Sequence, residues 1–190
     1  MRKRCPVIVN KPSWLLLPLF IVGLALTTLS AQAHLMSEQK GTLNFTSNGA
    51  FLALSTSASA FTGVDDNKDG AFSTGEMTRH SGKIKQQISQ RIQMLDASGE
   101  SLLLRGVVIA PTHTNSTEPG LHKQITILGR FVVTDSSFPV GLRVDLQGKS
   151  VETKNIVIVA TRNGKSQKMI FTVNDDHHLL FPVAATDTRD

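Results

Sequence analysis

The segment GVDDNKDGAFSTGEM, Gly63 to Met77, is where this 190-residue sequence gathers side chains that could do chemistry. Oxygen-bearing residues alternate at Asp65, Asn67 and Asp69, followed by Gly70, Ala71, Ser73 and Glu76. A hard cation such as Ca2+ takes about six to eight oxygen ligands at about 2.3–2.6 Å. Asp65, Asn67 and Asp69 would each supply a side-chain oxygen, and Gly70 permits the sharp bend that turns the chain around them. Ala71 would offer its backbone carbonyl, Ser73 an oxygen directly or through water, and Glu76 both oxygens of its carboxylate. The competing reading is a polar Asp/Asn/Gly turn that caps a helix. That reading accounts for the acids and for Gly70, but not for a Glu placed at position twelve. The expected metal set is therefore Asp65, Asn67, Asp69, Ala71, Ser73 and Glu76.

The elements around this loop are mostly strands. GTLNFTSNGAFLALS reads as a hairpin about Ser47-Asn48-Gly49, and NIVIVATRNGKSQKMIFTV as a second about Asn163-Gly164. GLRVDLQG alternates, with Leu142, Val144 and Leu146 opposite Arg143, Asp145 and Gln147, and QITILGRFVVTD alternates more loosely. After the acidic loop, Met77, Ile84, Ile88, Ile92 and Leu95 follow helical spacing. They predict one exiting helix over about 73–89, with a strand beginning near Arg91 and a turn near Ala97-Ser98-Gly99. The fold class is mainly β with one loop–helix insertion (α+β), arranged as a mostly antiparallel sandwich or barrel-like domain.

The first 33 residues have the pattern of a signal peptide. Arg2, Lys3, Arg4 and Lys11 precede an apolar run from Leu15 to Leu29, and Ala31 and Ala33 form a small-residue cleavage site. The run contains Pro18 and is shorter than the roughly 20 residues needed to cross a bilayer. Residues 34–190 are then expected as a single β-rich domain, periplasmic or secreted, with no stable membrane span after cleavage. Removing the leader leaves 16 basic against 15 acidic side chains, so the precursor's pI of 9.6 is no argument for nucleic-acid binding. Cys5 leaves too, and the rest of the chain has no disulfide to staple it.

Residues 65–76 resemble an EF-hand calcium loop, with Asp, Asn, Asp, Gly and Glu at positions one, three, five, six and twelve. Phe72 occupies position eight, where paired loops make a short β contact. The sequence holds no second such loop. The segment ahead of it, LSTSASAFTGV, is a poor match to an entering helix. The layout is similar to small exported bacterial EF-hand proteins and, more loosely, to the extracytoplasmic region of HupE/UreJ-like membrane proteins. The resemblance implies Ca2+ as the bound ion and a Gram-negative envelope location, with no established activity; an envelope protein is the expected partner.

An alternative starts from His34, which cleavage would expose as the N-terminus beside Met36. Nitrogen and thioether sulfur suit copper, completed by His80, His113, His122 or the His177-His178 pair, in a periplasmic copper carrier or copper enzyme. Adjacent strand residues point to opposite faces, which argues against convergence of His177 and His178. No nucleophile elbow, HExxH, phosphate-binding glycine loop or catalytic cysteine is present, and the expected role is non-enzymatic. Lys83, Lys85 and Arg91 read as the solvated face of the helix.

Overall fold

The computed structural model describes residues 39–112, 120–134 and 137–182. The chain divides into two units, Met1–Leu35 and Met36–Asp190. The expected leader, together with His34, Met36 and His113, lies outside the described residues.

The second unit is mainly β. Strands β1 (Gln39–Thr46), β2 (Gly49–Ser57) and β3 (Phe72–Ser73) precede two helices, α1 (Thr74–Arg79) and α2 (Ser81–Arg91). Then come β4 (Ile92–Leu95), β5 (Ser101–Leu102), β6 (Leu104–Pro111), β7 (Leu121–His122), β8 (Gln124–Phe131) and β9 (Val140–Val144). The chain continues through β10 (Ile156–Arg162), β11 (Lys165–Phe171) and β12 (His177–Leu180). A six-stranded sheet has the order β11-β10-β1-β2-β8-β6, a four-stranded sheet β12-β9-β4-β5, and β3 pairs with β7 alone. Both larger sheets are open, so the barrel alternative falls away, leaving two sheets over a shared core.

Both hairpins form as their turn residues require. Thr46 faces Gly49 across a two-residue turn, and Arg162 faces Lys165 across Asn163-Gly164, whose φ angles of 49° and 74° suit the turn with two left-handed positions. Pairing is antiparallel except between β1 and β10, which run parallel with Gln39 opposite Ile156. Period-two alternation turns Leu43, Leu52, Ile127 and Ile158 inward from the large sheet. They share one core cluster with Leu142, Val144 and Met94 of the small sheet and with Ile84 and Ile88 of α2. Gln147, expected outside, is buried instead. The strand stops at Val144, and Gln147 folds back to donate its amide to the Val144 carbonyl.

The single helix expected over 73–89 is two. His80, at φ −100° and ψ 12°, separates α1 from α2, although the His80 N–H still reaches the Glu76 carbonyl. α2 runs on to Arg91, and Ile92 is buried as the first residue of β4 rather than as part of the helical stripe. Among the described residues no helix is long and apolar enough to cross a membrane.

Candidate functional site

Local hydrogen bonds decide the shape of the acidic loop. Asp65 accepts from the Lys68 N–H at 2.6 Å through Oδ1 and from the Gly70 N–H at 2.9 Å through Oδ2. This curl requires left-handed backbone at Lys68 (φ 62°) and Gly70 (φ 81°). At Gly70 the missing Cβ makes that conformation cheap. Asp69 accepts from the Ala71 N–H at 2.8 Å and from the Asn67 amide at 2.7 Å. Asx turns of this kind are what short polar side chains do well.

Glu76 ties the two ends of the loop together. One carboxylate oxygen accepts from the Asp66 N–H at 2.8 Å, and the other from the Ser73 N–H at 2.8 Å and the Ser73 hydroxyl at 2.7 Å. Ser73 is the N-cap of α1 and accepts in turn from the Glu76 N–H, completing a capping box. The cap reading of the sequence is thus realised at Ser73 and Glu76. It does not displace the ligand reading, because a carboxylate has about four lone-pair sites and three of these contacts leave capacity. Glu76 is only 5% exposed. The Ser73 N–H first, then the Ser73 hydroxyl and the Asp66 N–H, hold its carboxyl down to about 2, so it is a full anion at neutral pH.

Asp66 turns the other way. Its carboxylate meets His80 Nε2 at 2.9 Å and the Arg79 guanidinium, and these partners, His80 foremost, hold its carboxyl below the usual range. That removes one acid from the loop's interior, and the residue it meets, His80, is the one that leaves helical geometry between α1 and α2.

No helix enters the loop. A 3-10 turn, Ala58–Ala60, follows β2, and α2 secures the chain beyond it. Arg91 donates to the Ala60 carbonyl at 2.6 Å, Gln87 exchanges bonds with the Thr62 backbone at 3.0 and 3.1 Å, and Lys83 donates to the Gly63 carbonyl at 2.9 Å. The spacing of four puts all three on one helix face. Lys83 and Arg91, read from the sequence as a solvated face, hold the approach to the loop. Phe72 at position eight does make a short β contact, with His122 as its partner and Leu121 opposite Ser73. The short strand β7 thus supplies the pairing that a second acidic loop would give, and its composition carries no signal for that role.

The histidines are spread through the structure. His80 is held by Asp66, while His178 stacks edge-on against Phe171 at 4.7 Å and meets the Ile170 carbonyl at 3.1 Å. His177 lies over Gly141, and its neighbour Asp176 is taken by Arg143 at 2.7 Å. Among the described residues, no three His, Cys, Asp or Glu side chains form a compact metal-holding group. The loop's own carboxylates, Asp65, Asp69 and Glu76, are thus not gathered into such a group; its expected donor set adds an amide, a hydroxyl and a backbone carbonyl to them. These are all oxygens, the donor type that hard Ca2+ prefers. No protein-family model matches the chain, and no curated protein matches it either.

Proposed function

We propose that this protein is an exported, non-enzymatic β-rich domain that binds one Ca2+ in the 65–76 loop. Its ligands are Asp65, Asn67, Asp69, Ser73 and Glu76 side-chain oxygens and the Ala71 carbonyl. The observation that carries this reading is Glu76, a buried anion whose two oxygens reach both ends of a loop that the Asp65 and Asp69 carboxylates already curl. An ion there would join the β2 end of the chain to α1, a structural role. Ca2+-stabilised packing would present the domain to an envelope partner in the periplasm or outside the cell.

Extracellular calcium modules bind at about 10⁻⁴–10⁻³ M. At a hundredfold excess over Kd the ion adds about 2.7 kcal/mol, and at about 2–4 °C per kcal/mol the melting temperature rises by about 5–10 °C. The test is thermal unfolding of the purified protein in chelator and then with Ca2+, Mg2+ or Cu2+. A rise with Ca2+ supports the reading. Equal melting in Ca2+ and chelator, with a rise in Cu2+, would transfer the function to the histidines.

A further inference from the structure

The six strands of the large sheet contain no Asp or Glu, yet they carry Lys40, Arg105, Arg130, Arg162, Lys165 and Lys168. Two of these, Arg105 on β6 and Arg130 on β8, are register partners on adjacent strands, and both are exposed. Like charges directly opposite one another destabilise a sheet. Neither guanidinium has a hydrogen-bond or ion-pair partner among the described residues. Arg162, by contrast, lies 3.3 Å over the Phe138 ring.

The pair sits at one end of a shallow depression of about 540 Å³ on the outer face of the sheet. Register fixes what lies beside it. Arg130 faces Phe51, and Phe51 faces Asn44 across the next strand pair. The adjoining row runs Val108, Leu128, Ala53 and Thr42. Phe51 is 43% exposed and Leu128 42%. Between Arg105 and Val108 the register slips by one residue, and Gly106 takes φ 63°. Bulges of this kind bend an edge strand and re-aim its side chains; here the bulge follows the arginine directly.

We infer that this depression is a binding site for a small soluble phosphate monoester with a flat apolar body. Its phosphoryl group would lie between Arg105 and Arg130, and its body against Phe51 and Leu128. Two features favour phosphate over carboxylate. Two guanidinium forks offer more donors than the two oxygens of one carboxylate can use, and a charge of two balances a phosphate monoester near pH 7.5. The volume falls in the range of small-molecule sites, about 300–1,000 Å³. Asn44 and Thr42 add hydrogen-bonding groups at the far end, where a polar substituent would be read. The residues lining the depression include none of the acidic loop, and the proposed binding requires no Ca2+.

The test is isothermal titration of the purified protein with phenyl phosphate at pH 7.5, ionic strength being held constant with chloride, alongside amide NMR. Saturable binding in the millimolar range is expected, with shifts centred on residues 42–53, 105–106 and 128–130. Arg105→Ala and Arg130→Ala should each weaken it at least tenfold while leaving the fold's amide spectrum intact. Arg130→Lys should weaken it several-fold, because lysine keeps the charge but loses the fork. Affinity equal to wild type in both alanine variants, or shifts reproduced by chloride alone, would overturn the proposal. Benzoate binding as tightly as phenyl phosphate would overturn the dianion argument. Binding to phosphatidic acid vesicles without binding to phenyl phosphate would overturn the choice of a soluble ligand.

Discussion

Glu76 has two jobs that substitution can separate. Glu76→Ala removes every acceptor on the side chain, so the Asp66 and Ser73 N–H groups and the Ser73 hydroxyl lose their partner. The capping contribution is about 1 kcal/mol, and a second N–H left without its charged acceptor adds about 1–2 kcal/mol. The sum, about 2–3 kcal/mol, should lower the melting temperature in chelator by about 5–10 °C. Glu76→Gln retains an amide oxygen at the third helical position, which still serves a capping box, and should cost about 1 kcal/mol in chelator. With Ca2+ the two variants share one outcome. Neither offers a bidentate carboxylate, so both should lose the rise expected of the wild-type protein. Melts followed by circular dichroism, in chelator and in 10 mM Ca2+, about a hundredfold over a Kd of about 10⁻⁴ M, give all six values. An alanine variant as stable as wild type in chelator refutes the cap arithmetic. A glutamine variant that keeps the full calcium response refutes Glu76 as a ligand.

Acid should weaken the fold through the same residue. A carboxyl held at about 2 in the folded chain stabilises it fully above its unfolded value near 4.3, and that contribution is lost as pH falls toward 2. Urea midpoints in chelator should drop more between pH 6 and pH 3 for wild type than for Glu76→Gln. In the core, Ile88→Ala empties a fully buried site on α2 and should cost about 2–5 kcal/mol, read as a lower urea midpoint at an unchanged slope. At the turns, a Cβ on Gly164 meets nothing within 4 Å, so Gly164→Ala should cost only about 1–2 kcal/mol of left-handed backbone. Gly49→Ala places its Cβ against the Phe131 carbonyl oxygen at 2.3 Å and should be the more damaging by thermal melting.

Local chemistry was legible in the sequence and distant pairing was not. The Asn163-Gly164 hairpin, the alternation that buries Leu142 and Val144, and the curl of the loop about Asp65 each depend on residues within a few positions of one another. The helix breaks at His80, whose ring is held by Asp66, fourteen positions earlier, and helical spacing alone contains no trace of that contact. Lys83, Gln87 and Arg91 show the same limit. Their spacing gives a shared helix face, but a charged stripe looks alike whether it meets water or the backbone of another segment. The pairing of Phe72 with His122 was least accessible, since a two-residue strand has no periodicity to detect.

The parallel pairing of β1 with β10 bears on the order in which the chain can fold. Gln39 of β1 donates its side chain to the Thr153 carbonyl, 114 positions later, just ahead of β10. A strand near the start of the domain thus occupies the middle of its largest sheet and stays open along one edge until nearly the whole chain has emerged. Such long loop closures slow folding relative to local contacts. The β1–β2 hairpin can form early, but the sheet around it cannot close before β10 arrives. A chain made from its N-terminus therefore stays unfinished, and threadable, until synthesis has passed residue 162.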